Sequence, residues 1–172
     1  MPLIKWSSVI EPFEIMPDPP DPAVQPPPAP VPKPVDKPWV LVVPGMRDYT
    51  HLRIQATGSW TQTGGQIGRC DPDGLASTPV QVNPLAVKDC GVGALIGKLG
   101  GSSASLTMPP ASPGGAAAPT TSLAEGAAFA IGSHCIVALP SSFIGPLYIS
   151  FNGLVRPVLV TALRITVEGA SS

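Results

Sequence analysis

The sequence predicts an all-β protein in which a β-sandwich domain follows an extended, proline-rich N-terminal arm. Fourteen of the first 44 residues are proline, and prolines then become sparse. In the remainder, apolar and polar residues alternate with a period of two, which is the pattern of a half-buried strand. No ten-residue segment has helical spacing. We therefore place the arm at residues 1–44 and the domain at residues 45–172.

The arm itself has two parts. The first 16 residues are too hydrophobic for a simple tether, because they include Leu3, Ile4, Trp6, Val9, Ile10, Phe13, Ile15 and Met16. This segment is either a strand that folds back onto the domain or an anchor for a neighbouring subunit, with Trp6 and Phe13 as anchoring side chains. Residues 17–38 predict polyproline II, because proline fixes φ and has no amide donor. At roughly 3.1 Å per residue, this spacer reaches about 70 Å.

The first predicted strands follow the spacer. Residues 39–43 are a short β-rich segment that a Pro-Gly pair terminates, and Trp39 at its start is the third predicted anchor to a partner. In residues 52–57 every second side chain is apolar, which predicts a strand with one buried face. Residues 93–99 predict another strand, and its small residues indicate that a neighbouring element approaches closely.

The second half of the domain contains the remaining strands. Residues 101–127 are rich in Gly, Ser, Ala and Pro and predict a long loop. Residues 129–139 predict either a pair of strands or one long strand. Residues 147–152 and 163–168 alternate again with a period of two. The domain is therefore expected to be all-β.

Composition limits the partners of the chain. Hydrophobic residues make up 44% of the sequence and charged residues 12%, with a net charge of −1, so a basic interface for nucleic acid is not expected. The chain opens without the basic and apolar segments of a secretory signal, and no 18-residue apolar stretch is present. We expect no membrane partner. The charged fraction is about half the usual value, which favours a surface that neighbouring subunits cover.

The three cysteines cannot all pair within one chain. Without a secretory signal, reduced thiols are expected, although one bridge between Cys70 and Cys90 is the alternative. Cys135 lies in an apolar segment and is predicted to be a packing residue.

Five segments in a particular order carry a resemblance to a known family. They are LRIQATGSW at 52–60, CDPDG at 70–74, GALIGKLG at 93–100, GPLYISFN at 145–152 and LRITV at 163–167. Together they resemble the PA-IL galactose-binding lectin family, whose fold is a jelly-roll-like β-sandwich related to galactose-binding domains. The resemblance covers roughly residues 48–169 and leaves the arm outside it.

The resemblance implies a calcium and galactose site on loops near the end of the sandwich. The family has an Asn-Asp pair where this sequence has Asn152 and Gly153, and an Asn-Asn pair in a region that here, at residues 154–161, has neither Asn nor Asp. Calcium requires several oxygen ligands, usually including carboxylates. The resemblance therefore implies the fold without the calcium-dependent sugar site, and no cofactor is expected.

Five residues are nevertheless candidates for ligand binding. Trp60, Asn152 and His51 are candidates for carbohydrate binding. Trp60 is expected in the core and becomes a sugar-stacking platform only if it is exposed. Asp71 and Asp73 are candidates for a calcium ion, but Asp-Pro and Asp-Gly pairs also form turns.

No catalytic constellation is recognisable in the sequence. No GxSxG elbow, P-loop, HExxH or CxxC spacing occurs. His134 lies in an apolar segment and is predicted to be a core residue. Ser133, His134 and Cys135 are consecutive on a predicted strand, where successive side chains point in opposite directions, so they do not form a nucleophile–base pair. An enzyme is not expected.

These observations favour a structural and attachment subunit of a large multi-subunit particle, such as a bacteriophage virion or tail, made in the host cytoplasm. Residues 1–16 would dock on an adjacent subunit and residues 17–38 would span the gap between them. Its partners would be neighbouring protein subunits, including further copies of the chain. The alternative is a carbohydrate-binding lectin, extracellular or displayed on a particle, that recognises a surface glycan.

Overall fold

The computed structural model describes residues 5–17, 39–46, 48–62, 68–75, 85–100, 128–140, 143–154 and 157–171. Within these ranges the protein is all-β and contains no helix, so no helix capable of crossing a membrane is found there. The strands are β1 (Lys5–Ser8), β2 (Phe13–Ile15), β3 (Val40–Val43), β4 (His51–Gln62), β5 (Leu95–Leu99), β6 (Ala128–Ala130), β7 (His134–Ala138), β8 (Leu147–Phe151) and β9 (Pro157–Ser171).

The strands form two antiparallel sheets. The five-stranded sheet has the order β1-β9-β4-β7, with β2 also paired to β9, and the four-stranded sheet has the order β3-β8-β5-β6. The long strands β4 and β9 pair from His51 opposite Ala170 to Gln62 opposite Pro157. Gly58 lies at a bulge in this pair, with φ of 143°, and a Cβ there would lie 2.8 Å from the Ala162 carbonyl oxygen. Glycine is therefore required at the bulge.

The core lies between the inner faces of the two sheets. On β4 the buried positions alternate as predicted, and β8 and β9 show the same period of two. On β5 all five residues are buried, including those on its outer face. The largest fully buried side chains are Trp39, Trp60, Met46, Leu52, Ile54, Leu95, Ile96, Leu99, Leu147, Ile149, Leu159 and Leu163. The two sheets therefore share one apolar core, which is the arrangement of a β-sandwich.

Residues 129–139 form a strand pair, and its two strands lie in different sheets. Strand β6 pairs with β5, whereas β7 pairs with β4. Gly132 connects them with φ of 62°, and its amide and that of Ile131 both donate to the Leu95 carbonyl. The left-handed glycine directs the chain across the sandwich. The prediction of one long strand is therefore wrong for this segment.

The N-terminal residues fold back onto their own sandwich. Strands β1 and β2 both pair with β9, and β3 pairs with β8 in the other sheet. Phe13 and Ile15 pack against the core. Of the two alternatives for the first 16 residues, residues 5–16 therefore follow the one in which a strand folds back onto the domain, because β9 offers a strand edge within the same chain. Docking of this segment on an adjacent subunit stays a prediction.

The predicted boundary at residues 44–45 does not separate two structural units. Strands β1, β2 and β3 all precede it, and each pairs with a strand that follows it. The predicted spacer beyond Pro17 and the predicted loop at 101–127 lie outside the described residues, and their conformations stay predictions.

Removal of residues 1–17 is expected to destabilise the domain. It would delete β1 and β2 and uncover the core around Phe13 and Ile15, with an expected loss of about 3 kcal/mol or more in the free energy of unfolding. Urea denaturation measures this loss. A chain lacking only residues 1–4 keeps both strands and serves as the control. Equal stability of the two truncated chains would show that β1 and β2 do not support the sandwich.

Candidate functional site

Trp60 is a core residue and not a sugar-stacking platform. Its side chain is 0% exposed, and its indole Nε1 donates to the Gly93 carbonyl at 2.8 Å. The ring meets Phe151 edge to face, with 4.8 Å between the ring centroids. The backbone of Trp60 also exchanges two hydrogen bonds with Cys70. The carbohydrate-binding prediction for Trp60 is corrected, because no part of the ring reaches the surface.

Asn152 is also fully buried, and its side chain holds a loop of the same chain. Its Oδ1 accepts from the Val87 amide at 3.1 Å, and its Nδ2 donates to the Val87 carbonyl at 2.8 Å. Nδ2 also lies 3.3 Å from the carbonyls of Cys90 and Gly91. The side-chain amide of Asn152 therefore supplies hydrogen bonds to the backbone of the loop before β5, as a neighbouring strand would. This internal role corrects the prediction that Asn152 binds carbohydrate.

Asp71 and Asp73 form a turn that is attached to the end of the sandwich. The Asp73 amide donates to Asp71 Oδ1 at 3.0 Å, as in an Asx-turn. Asp73 Oδ1 accepts from the Ser133 amide at 2.8 Å and thereby ties the turn to the β6–β7 connection. Within the described ranges no group of three His, Cys, Asp or Glu side chains is placed to hold a metal ion. The geometry thus gives these two carboxylates a structural role in the turn.

Trp39 is buried in its own domain rather than presented to a partner. It is 1% exposed, and the Lys98 ammonium lies 4.7 Å from its ring centroid. The same ammonium also lies over the Tyr148 ring, 5.1 Å from the centroid of that ring. Burial lowers the pKa of Lys98, and the two aromatic faces favour its charged form. The predicted anchoring role of Trp39 is corrected, because its ring serves an internal cation–π contact.

One group of surface side chains lies on the outer face of the five-stranded sheet. The register places Arg53 of β4 between Glu168 of β9 and Ile136 of β7. One row further, Ala170 of β9 is paired on its two sides with Trp6 and with His51. We refer to the surface that carries Trp6, His51, Arg53, His134, Ile136 and Glu168 as the outer face.

The centre of the outer face is a stacked ion pair. Arg53 Nε donates to Glu168 Oε2 at 2.6 Å, and the Arg53 guanidinium carbon lies 4.9 Å from the centroid of the Trp6 ring. The hydrogen bond raises the pKa of Arg53, and it holds the pKa of Glu168 below its usual value. Trp6, which is half-buried, therefore extends across β9 to reach β4. Its predicted anchoring to a partner stays a prediction.

The other predicted residues take different positions. His51 is half-buried on the outer face, and its Nδ1 lies 3.1 Å from Thr50 Oγ1. His134, predicted in the core, is exposed at the start of β7. Phe13 packs against the core and does not reach the outer face. Of the three carbohydrate candidates, His51 alone lies on this face.

Sequence reasoning missed Arg53, Glu168 and Ile136 as a group. Each occupies an outward position in a predicted strand, and this alternation was the signal in the sequence that could have placed them at the surface. Their proximity depends on the pairing of β4 with β7 and β9, which strand alternation alone does not specify.

The described cysteines are all free thiols, which includes Cys70 and Cys90. Burial raises the pKa of the Cys70 and Cys135 thiols to about 11. Thiols with so high a pKa are poor nucleophiles at neutral pH, so neither has the character of a catalytic cysteine.

Comparison with protein-family models, with curated proteins and with solved structures finds no match to this chain.

Asn152→Asp is expected to lower the free energy of unfolding by roughly 3 kcal/mol or more at pH 7. The carboxylate oxygen that replaces Nδ2 has no hydrogen to donate, and it would face three carbonyl oxygens. Burial would raise the pKa of the introduced carboxyl, so stability should recover relative to the natural protein as the pH falls. Urea denaturation of both proteins at pH 7 and pH 5 measures this. Asp73→Asn retains its carbonyl acceptor and should cost less than about 1 kcal/mol. Similar losses in the two variants would contradict the assignment.

The Glu168 carboxyl is expected to titrate below the usual range of a glutamate, and Arg53→Met should raise its pKa. Because the folded pKa is the lower one, the ion pair stabilises the fold above the unfolded pKa. This contribution is lost as the pH falls through the folded value. Carbon-detected NMR of the carboxyl measures the pKa. Arg164→Met, which removes the separate pair with Glu14, is the control. An unchanged Glu168 pKa in Arg53→Met would refute the assignment.

Proposed function

We propose that this chain is a non-enzymatic structural and attachment subunit of a multi-subunit particle, of the kind that a bacteriophage virion or tail contains. In this proposal the domain is a lectin-like jelly-roll sandwich that no longer uses a calcium-dependent sugar site. It joins the particle through the outer face of its five-stranded sheet. The N-terminal strands β1 and β2 belong to the domain, so in this proposal the domain itself, and not a separate arm, makes the attachment.

The observation that supports the proposal is the composition of the outer face. Arg53 and Glu168 neutralise each other, and Trp6 covers the guanidinium, so the centre of this face has little net charge. Ile136 beside them is 57% exposed. A face with an aromatic ring, an arginine, an exposed aliphatic side chain and no excess charge at its centre suits a protein partner.

A neighbouring protein subunit fits this face better than a small ligand does. The side chains that the resemblance connects with sugar binding are internal, since Trp60 and Asn152 are both fully buried. The chain also has only 12% charged residues, which is typical of surfaces that are covered in an assembly. Carbohydrate recognition by a lectin is the alternative, and it would rely on Trp6 and His51 on the outer face.

The proposal is tested by sedimentation of a lysate from cells that express the protein naturally. We expect the chain to sediment with large particles, at a constant ratio to their other subunits when each fraction is quantified by mass spectrometry. Because the centre of the face has little net charge, the association should survive a wash in 1 M salt. A chain that stays at the top of the gradient would contradict the proposal.

The attachment surface is tested with stripped particles and labelled chain. Trp6→Ala is expected to weaken rebinding at least tenfold. Leu41→Ser changes an exposed residue of the other sheet and should rebind normally. A glycan array with and without calcium examines the alternative. Glycan binding that both Trp6→Ala and His51→Ala abolish would favour the lectin over the structural subunit.

A further inference from the structure

Strand β7 is the last strand in the order of the five-stranded sheet. Its inner side pairs with β4, and no strand in the described part of the chain pairs with its other side. The Ala56 amide donates to Ser133 and the Leu139 amide donates to Thr50. These two bonds show that odd-numbered residues of β7 direct their backbone groups toward β4. The N–H and C=O groups of His134, Ile136 and Ala138 therefore point away from the sheet.

The other edge strands of the described structure each carry a feature that opposes pairing. Strand β3 has a register shift and is followed by Pro44, and β6 is only three residues long. Strand β1 contains Lys5, and β2 contains Glu14. Natural edges are protected by such charges, prolines, bulges and short lengths. Strand β7, with the sequence HCIVA, contains no Lys, Arg, Asp, Glu or proline and has no register shift, and Pro140 follows it only after Leu139.

We propose that β7 is the interface of a homodimer, in which β7 of a second copy pairs with it in antiparallel orientation across a two-fold axis at Ile136. This inference depends on the geometry of β7 and not on the proposed function. With the axis at Ile136, the three outward residues all fall in hydrogen-bonded pairs, Ile136 with its own copy and His134 with Ala138. Three such pairs form about six backbone hydrogen bonds, more than a shifted register forms.

The side chains of β7 suit a second copy of the same strand. No charged side chain lies on β7, so two copies meet without repulsion between like charges. Ile136, which is 57% exposed, meets its own copy on the outer face. Cys135 and Val137 pack against the core and would lie opposite each other at the inner face. The dimer would contain one continuous sheet of ten strands, five from each copy, and would present two outer faces side by side.

The oligomeric state tests this proposal. Size-exclusion chromatography with multi-angle light scattering, at chain concentrations from roughly 5 to 200 μM, should give twice the mass of one chain at the higher concentrations. Ile136→Lys places two ammonium groups opposite each other and should raise the dissociation constant at least tenfold. Ile144→Lys alters an equally exposed isoleucine away from β7 and should dimerise normally. A monomer at all concentrations, or equal dimerisation of the two variants, would overturn the proposal.

A disulfide trap tests the register independently. In a Cys135→Ala background, Ile136→Cys places two thiols across the two-fold axis. Their expected Cα separation of about 5.5 Å lies within the range for a disulfide. Mild oxidation should link the chains of Ile136→Cys. Ala138→Cys should link at least tenfold less, since Ala138 would face His134. Preferential linking of Ala138→Cys would overturn the register, and circular dichroism checks that each variant is folded.

Discussion

The pairing of β4 with β9 is the constraint on which the rest of the structure depends. These two strands are the longest in the described sandwich, and their ladder continues through the bulge at Gly58. Strand β9 also provides the edge for β1 and β2, whereas β4 provides the edge for β7. The outer face exists because this ladder aligns Arg53 with Glu168 and places Trp6 within reach of both.

The same sandwich uses its most ligand-like side chains internally. Asn152 completes the hydrogen bonding of a loop that has no strand partner, and Trp60 closes the core beneath the Cys70 segment. Asp73 connects the turn after Cys70 to the β6–β7 connection. Buried polar groups require partners, so a structural use of these side chains removes them from recognition. Recognition is then left to side chains on the outside of the sheet.

Prediction from the sequence succeeded where alternation is local. The strands at 52–57, 147–152 and 163–168 were recognised because one buried face imposes a period of two on each of them. Prediction left two alternatives open for β1 and β2, because Phe13 and Ile15 are equally consistent with packing on β9 or on a partner. It failed for His134, since an apolar neighbourhood in sequence does not specify which face of a strand each residue occupies.

The candidate site shows the same division. The sequence by itself determined the all-β class, the buried face of each long strand and the expectation that Trp60 belongs to the core. Only the tertiary structure decided that Arg53, Glu168 and Trp6 meet, that β6 and β7 lie in different sheets and that β7 ends a sheet. The physical reason is that alternation depends on burial of neighbouring residues, whereas strand order and register depend on hydrogen bonds between residues that are distant in the chain.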